Sequence, residues 1–282
     1  MDNLTRPEGS LPEDFLITRR TLTGMFFAGY AVAALSAEAA PVVTTADGLT
    51  IEEVLIPNGA PSPLPAYVAR PKGAGRHPVI IVVNEVFGIH DYIKDICRRL
   101  AKIGYVAVAP AFFYRSGVNL PALTDISQIL PVVEQASDAQ VDGDVRATSA
   151  WVNARSFAEP SRIGITGFCW GGTVVWRSAM VDPNIRAGVA WYGKLAPLIG
   201  RAGELHAPVL GLYGGKDQGI PQADVAAMGD ALKKAGKAGS SLHVYPEAGH
   251  GFHADYRASY DADAAKDGWK RMLAHFRANG VL

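Results

Sequence analysis

Three side chains, each at the end of an apolar run, could together do nucleophilic chemistry. Cys169 lies in Gly167-Phe168-Cys169-Trp170-Gly171-Gly172, directly after the apolar run ending at Thr166 and directly before a stretch with helical patterning. A strand-turn-helix tip of this kind is a nucleophile elbow. Its turn is so sharp that flanking side chains must vanish, and the tip residue is forced into a strained conformation that projects its side chain. A thiol there gains from the helix's unpaired N–H groups and its dipole, both of which favour the reactive thiolate. Asp217 follows Leu212-Tyr213-Gly214-Gly215-Lys216, and His250 lies in Pro246-Glu247-Ala248-Gly249-His250-Gly251-Phe252, each just after a strand-like run. Nucleophile, acid, histidine is the chain order that the elbow implies. His250 would take the thiol proton and return it to a leaving oxygen, while Asp217 would fix the imidazole tautomer and stabilise its charged form. Taken singly, these residues read as a buried structural cysteine, a turn aspartate and a surface histidine. Placed together at successive strand ends, they point to acyl transfer through a thioester.

An acyl-transfer oxyanion needs preorganised donors. Position assigns one to the backbone N–H of Trp170, the residue after the nucleophile. The second belongs to the loop after the Pro78–Val83 run, where Val86 N–H is the candidate. That loop reads Asn84-Glu85-Val86-Phe87-Gly88. Glu85 is an odd choice beside a thiol, because its charge repels a developing oxyanion; its plain role would be a loop cap or salt bridge. Phe87, Trp170 and Trp191 fall near strand ends and are candidates for an apolar pocket wall, although most aromatics simply fill cores.

The elements that must position these groups alternate along the chain. Pro78–Val83, Tyr105–Ala109, Arg162–Thr166, Ala187–Trp191 and Val209–Tyr213 are short apolar runs, the mark of strands buried on both faces. Ser241–Tyr245 reads as a further strand. Helical patterning covers Tyr92–Ile103, closed by Gly104, and then Asp138–Ser156, Gly171–Met180, Ala223–Ala235 and Ala262–Arg277. Thr50–Ile56 and Ala66–Ala69 form an N-terminal strand pair across the Pro/Gly-rich segment 57–65. Residues 116–137 give no clear pattern. Strand and helix alternate without repeat or linker, which predicts one doubly wound α/β domain over residues 40–282 with a mostly parallel sheet. Chemistry in such sheets sits at the carboxyl ends of the strands.

Bulk properties agree. The 282 residues are 49% apolar and 19% charged, enough for one large core. With 27 basic and 27 acidic residues the formal net charge is zero, so nothing suggests a nucleic-acid partner. Two cysteines exclude a disulfide framework. A Cys97–Cys169 bridge would need Cα atoms within ~7 Å, and one lies inside a helix while the other lies at a strand tip. His250 and His253 have helical rather than loop metal spacing and follow a glycine, so no metal is expected. The Gly-rich segments are neither dinucleotide nor phosphate loops, so no cofactor is expected.

Residues 1–39 differ from the rest. Thr18-Arg19-Arg20-Thr21-Leu22 precedes an apolar run from Gly24 to Leu35, and Ala37-Glu38-Ala39 supplies a small-x-small cleavage pattern. This is the order of an export signal, with the paired arginines of the twin-arginine type. The run is too short for a stable membrane anchor, which needs ~20 residues. A periplasmic or secreted mature protein is therefore expected, and a cytoplasmic one if the arginine pair is incidental.

Glu85 with Val-Phe-Gly, Ala109-Pro110-x-x-x-x-Arg115, Gly-Phe-Cys-Trp-Gly-Gly and Ala-Gly-His-Gly-Phe together resemble the dienelactone hydrolase family from about Thr50 onward. The resemblance implies an α/β-hydrolase fold and a carboxymethylenebutenolidase-like activity on enol-lactones or activated esters. It further implies that Glu85 pairs with Cys169 in the resting enzyme, accepts its proton and is displaced by substrate. It places Arg115 as one of two arginines that grip a substrate carboxylate. The second is expected four residues after the histidine, where this chain has Ala254; Arg257 and His253 lie nearby. The rival expectation is an exported small-molecule binding protein that kept the fold without catalysis. The intact triad speaks against it.

Overall fold

The computed structural model describes residues 41–123 and 125–281. The export signal expected over residues 1–39 lies outside the described residues. Among the described residues eight strands form one sheet: β1 (Leu49–Ile56), β2 (Leu64–Pro71), β3 (His77–Val83), β4 (Val106–Pro110), β5 (Ala158–Phe168), β6 (Ile185–Trp191), β7 (Val209–Gly214) and β8 (Ser241–Tyr245). Their spatial order is β1-β2-β4-β3-β5-β6-β7-β8. β1 pairs antiparallel with β2 and β2 antiparallel with β4; every other pairing is parallel. The sheet is thus doubly wound, mostly parallel and preceded by an antiparallel pair, as the sequence predicts.

Among the described residues there are six α-helices, the first five between strands and the last after β8: α1 (Asp91–Lys102), α2 (Ile126–Glu134), α3 (Asp138–Asn153), α4 (Trp170–Val181), α5 (Gln222–Lys234) and α6 (Ala262–Ala278). The strand side chains divide between two cores. Ile80 and Val82 of β3 pack with Ile93, Ile96 and Leu100 of α1 and with Met272 and Phe276 of α6. Val79, Ile81 and Val83 pack on the other face with residues of α3, α4 and α5. Burying one such Val or Ile stabilises by about 1.5–3 kcal/mol, so apolar runs without alternation are stable only between two helical layers.

The segment that the sequence leaves unassigned holds two short 3-10 turns, at Tyr114–Ser116 and Leu120–Ala122, followed by α2. Asp125 caps α2 by accepting from Ser127 N at 2.8 Å, and Pro131 lies inside the helix. β5 starts four residues earlier than expected. Its Glu159-Pro160-Ser161-Arg162 start is largely exposed and polar, and so lacks the apolar signature of a buried strand.

Sheet order reverses around β3: its chain successor β4 lies on one side and β5 on the other. The carboxyl ends of β3 and β5 are therefore neighbours at a topological switch point, with Val83 opposite Gly167. Open α/β sheets bind ligands there. Among the described residues no helix is long and apolar enough to cross a membrane.

Candidate active site

Close approach of backbones fixes the turn after β5. A Cβ on Gly167 would lie 2.4 Å from Gly171 O, and one on Gly171 would lie 2.6 Å from Val83 O. Only hydrogen fits at either place. Cys169, between them, has φ 55° and ψ −117°, a conformation that costs a non-glycine residue about 1–3 kcal/mol. The strain is held by Cys169 N donating to Trp191 O at 3.0 Å and Gly172 N donating to Cys169 O at 2.9 Å. Helix α4 begins at the next residue, so Trp170 N–H is a helix-terminal donor without a partner inside its own helix.

His250 and Asp217 meet this tip from the loops after β8 and β7. His250 Nδ1 donates to Asp217 Oδ2 at 2.8 Å, with both side chains buried. Asp217 Oδ1 accepts from Gly219 N at 2.8 Å and Ile220 N at 3.1 Å, which orients the carboxylate. Burial alone would lower the His250 pKa. The hydrogen bond and charge of Asp217, joined by a hydrogen bond with Cys169, outweigh it and raise the imidazole to about 9. Carboxylate, imidazole and thiol thus form one connected chain. Such a chain can move a proton between sulfur and a leaving group while keeping the imidazolium stabilised.

Glu85 is fully buried at the end of β3. Its Oε2 accepts from the Tyr256 hydroxyl and lies 3.5 Å from His90 Nε2, and its Oε1 lies 3.5 Å from Arg257 Nη2. Burial pushes the carboxyl up, but the Arg257 charge, with His90 and Tyr256, holds it down at about 2. In this structure the thiol is hydrogen-bonded with His250, while Glu85 is engaged by Tyr256, His90 and Arg257.

Other expected residues fall as follows. Val86 lines the cavity at Cys169, together with Trp170 and Tyr192. Phe87 is buried under the Arg257 guanidinium, 5.1 Å from it. Trp191 packs away from that cavity: its Nε1 donates to Thr166 Oγ1, and its ring lies against Phe168 and His253. Arg115 is not brought to the site either. Its Nη1 and Nη2 donate to Asp144 at 2.6 and 2.8 Å, a two-pronged pair that commits the guanidinium. His253 bonds to the Tyr92 hydroxyl at 2.7 Å, and burial, with the nearby Arg99, depresses its pKa to about 3. It is a neutral ring and cannot replace an arginine. No disulfide joins Cys97 and Cys169, and burial raises the Cys97 thiol far above its usual range.

Tyr256, His90 and Tyr192 also belong to the site. Tyr192 is legible as one of the aromatics near strand ends that could line a pocket: it directly follows β6, and it does line the cavity. Tyr256 and His90 carry no signal in the sequence, because their roles arise from where two loops cross.

The profile of the "Dienelactone hydrolase family" matches residues 64–280. The chain is 47% identical to the "Putative carboxymethylenebutenolidase" of Methylorubrum extorquens over 286 residues, covering 96% of this chain and 97% of that protein. It is 43% identical to the protein of the same description from Escherichia coli K12, covering 89% and 96%. The crystal structure of a "Putative Dienelactone Hydrolase" from Klebsiella pneumoniae superposes with a TM-score of 0.77 at 46% identity, covering 81% of this chain and 98% of that one. With its α/β-hydrolase fold and a profile match over most of its length, the chain belongs to the dienelactone hydrolase family, hydrolases of the ester and lactone type.

Proposed function

We propose that this protein hydrolyses enol-lactones or activated carboxylic esters through a cysteine acyl-enzyme. Cys169 Sγ attacks the acyl carbon while the N–H groups of Trp170 and Val86 receive the oxyanion. The acyl C–O bond breaks, and His250 delivers its proton to the departing oxygen. A water molecule, deprotonated by His250, then attacks the thioester; the acid is released and the thiolate returns. Asp217 keeps the imidazole oriented throughout. Glu85 stays ionised beside Arg257, and its charge disfavours an attacking water or oxyanion on its own side of the thiol. A thiol nucleophile suits good leaving groups, among them the enolate of an enol-lactone.

The observation that carries this reading is the buried chain from Asp217 through His250 to Cys169, ending on a backbone strained at the sulfur-bearing residue. Mass spectrometry of acid-quenched reactions tests it. An acyl adduct is expected on Cys169, with turnover of lactones and 4-nitrophenyl esters blocked by iodoacetamide and reduced at least ~10³-fold in Cys169→Ala. Retained turnover in Cys169→Ala would overturn it.

Export by the twin-arginine route is part of the same proposal, resting on Arg19, Arg20 and the apolar run after them. A fluorescent protein fused after Ala40 should reach the periplasm and remain cytoplasmic once both arginines become lysine. Periplasmic delivery without the arginine pair would refute that route.

A further inference from the structure

We infer that this site selects neutral, apolar substrates over carboxylate-bearing ones; the inference rests on the proposed role of Cys169 and deepens it. The cavity that opens from Cys169 has a volume of about 250 Å³. Val86, Leu130, Val133, Val174, Leu198 and Ile220 give its wall an aliphatic share. Two of these, Leu130 and Val133, come from α2. The Trp170 ring adds an aromatic side, braced by Phe113 at 4.7 Å and Phe112 at 5.8 Å.

The charges around this wall cancel. Arg177 and Lys194 line it, and so do Glu134 and Asp138. Arg177 is held by Asp138 and Asp142, so its guanidinium already has two carboxylates. A substrate carboxylate entering here would be stripped of water against aliphatic side chains, with Glu134 and Asp138 in the same wall. An anion in that setting pays its desolvation without a matching cation fork.

Arg115 and Arg257 each already have a carboxylate partner. Arg115 is outside the lining and bound in a fork to Asp144. Arg257 is also outside the lining, buried against Glu85, Tyr256 and the Phe87 ring. Ala254 is fully buried and carries no charge. Lys194 is the second cation of the wall, and with Arg177 it is matched in number by the carboxylates of Glu134 and Asp138.

The test uses one lactone ring with and without the charge: carboxymethylenebutenolide and its methyl ester, with ring opening followed by absorbance. The methyl ester should show a kcat/KM at least ~10-fold above that of the free acid, equivalent to about 1.4 kcal/mol. In Leu130→Arg, the ratio of acid to ester kcat/KM should rise at least ~10-fold. Equal or faster turnover of the free acid by the unaltered protein would overturn the inference while leaving the cysteine mechanism standing. An unchanged ratio in a folded Leu130→Arg protein would also overturn it, because the acid group would then not meet this wall. If neither lactone is opened and no adduct forms on Cys169, the hydrolase reading fails, and the inference fails with it.

Discussion

At the scale of single residues, the site depends on opposing effects of burial and charge. Burial favours neutral forms of both His250 and Glu85, yet each is held charged by a partner: His250 by Asp217, and Glu85 chiefly by Arg257. For His250 the raised pKa has a definite sign. Its stabilising contribution is fully present below the ordinary imidazole pKa of 6.5 and is lost as pH rises through about 9. The proton it keeps is the one the proposed mechanism passes to the leaving oxygen. The alkaline limb of kcat/KM is therefore expected near pH 9 in the unaltered protein. Asp217→Asn removes the largest raising influence and leaves burial unopposed except by the thiol. The limb should then move down by at least about one unit and turnover should fall ~10²- to 10⁴-fold. A pH-rate profile of both proteins checks this, and a limb that stays put would show that another group governs it.

At the scale of elements, the loop after β8 carries more than the histidine. Residues 246–257 deliver His250 to Cys169 and Tyr256 with Arg257 to Glu85, and two anchors fix the loop between them. His253 bonds to Tyr92 of α1. Asp255 accepts from Arg99 of α1 at 2.5 Å and from Val42 N at 3.2 Å. Arg99 also bonds to Asp95 at 2.5 Å, and Asp95 accepts from Thr44 N at 2.6 Å. The chain just before β1 thus straps α1 to the loop that carries His250. Asp255→Ala should destabilise the protein by about 3 kcal/mol, the scale of breaking one side of a buried ion pair. It should also lower turnover more than it changes KM, because the loop it loosens holds catalytic groups rather than the cavity wall. Denaturant melts beside steady-state kinetics measure both, and unchanged stability would show that the strap carries no load.

The same elements show what could be read from sequence. β3, β4, β6 and β7 were legible because two helical layers demand continuous apolar runs, and Cys169, Asp217 and His250 because they follow such runs in a fixed order. α2 was not legible. Pro131 interrupts its pattern, and it follows two 3-10 turns whose hydrogen bonds have no long-range period. The cavity wall it supplies was therefore hidden as well. Arg115 shows the opposite failure. The family resemblance implies a substrate-binding role for it, but Asp144, 29 residues away, claims its guanidinium, and only the packing of α3 reveals that.

At the scale of the whole molecule, a buried carboxylate at the switch point of the sheet links the active site to acid stability. Glu85 lies between β3 and the loop after β8, so the interactions that keep it ionised also join those segments. Its pKa falls from an ordinary 4.5 to about 2. A depressed carboxyl contributes stability above its unfolded pKa, and that contribution drains away as pH falls from about 4.5 through about 2. The shift corresponds to about 3 kcal/mol at neutral pH, taken as an order of magnitude. Glu85→Gln keeps the shape but discards the charge and leaves Arg257 buried without its carboxylate. The variant should be less stable at pH 7 by about that amount or more, and the gap should narrow by about 3 kcal/mol as both proteins are melted at steps down to pH 2. A gap that is independent of pH would mean that Glu85 titrates alike in the folded and the unfolded chain, and the electrostatic account of the Glu85–Arg257 pair would have to be abandoned. A gap that narrows only at acid pH would show that this carboxylate, at the switch point, ties the centre of the sheet to the loop after β8.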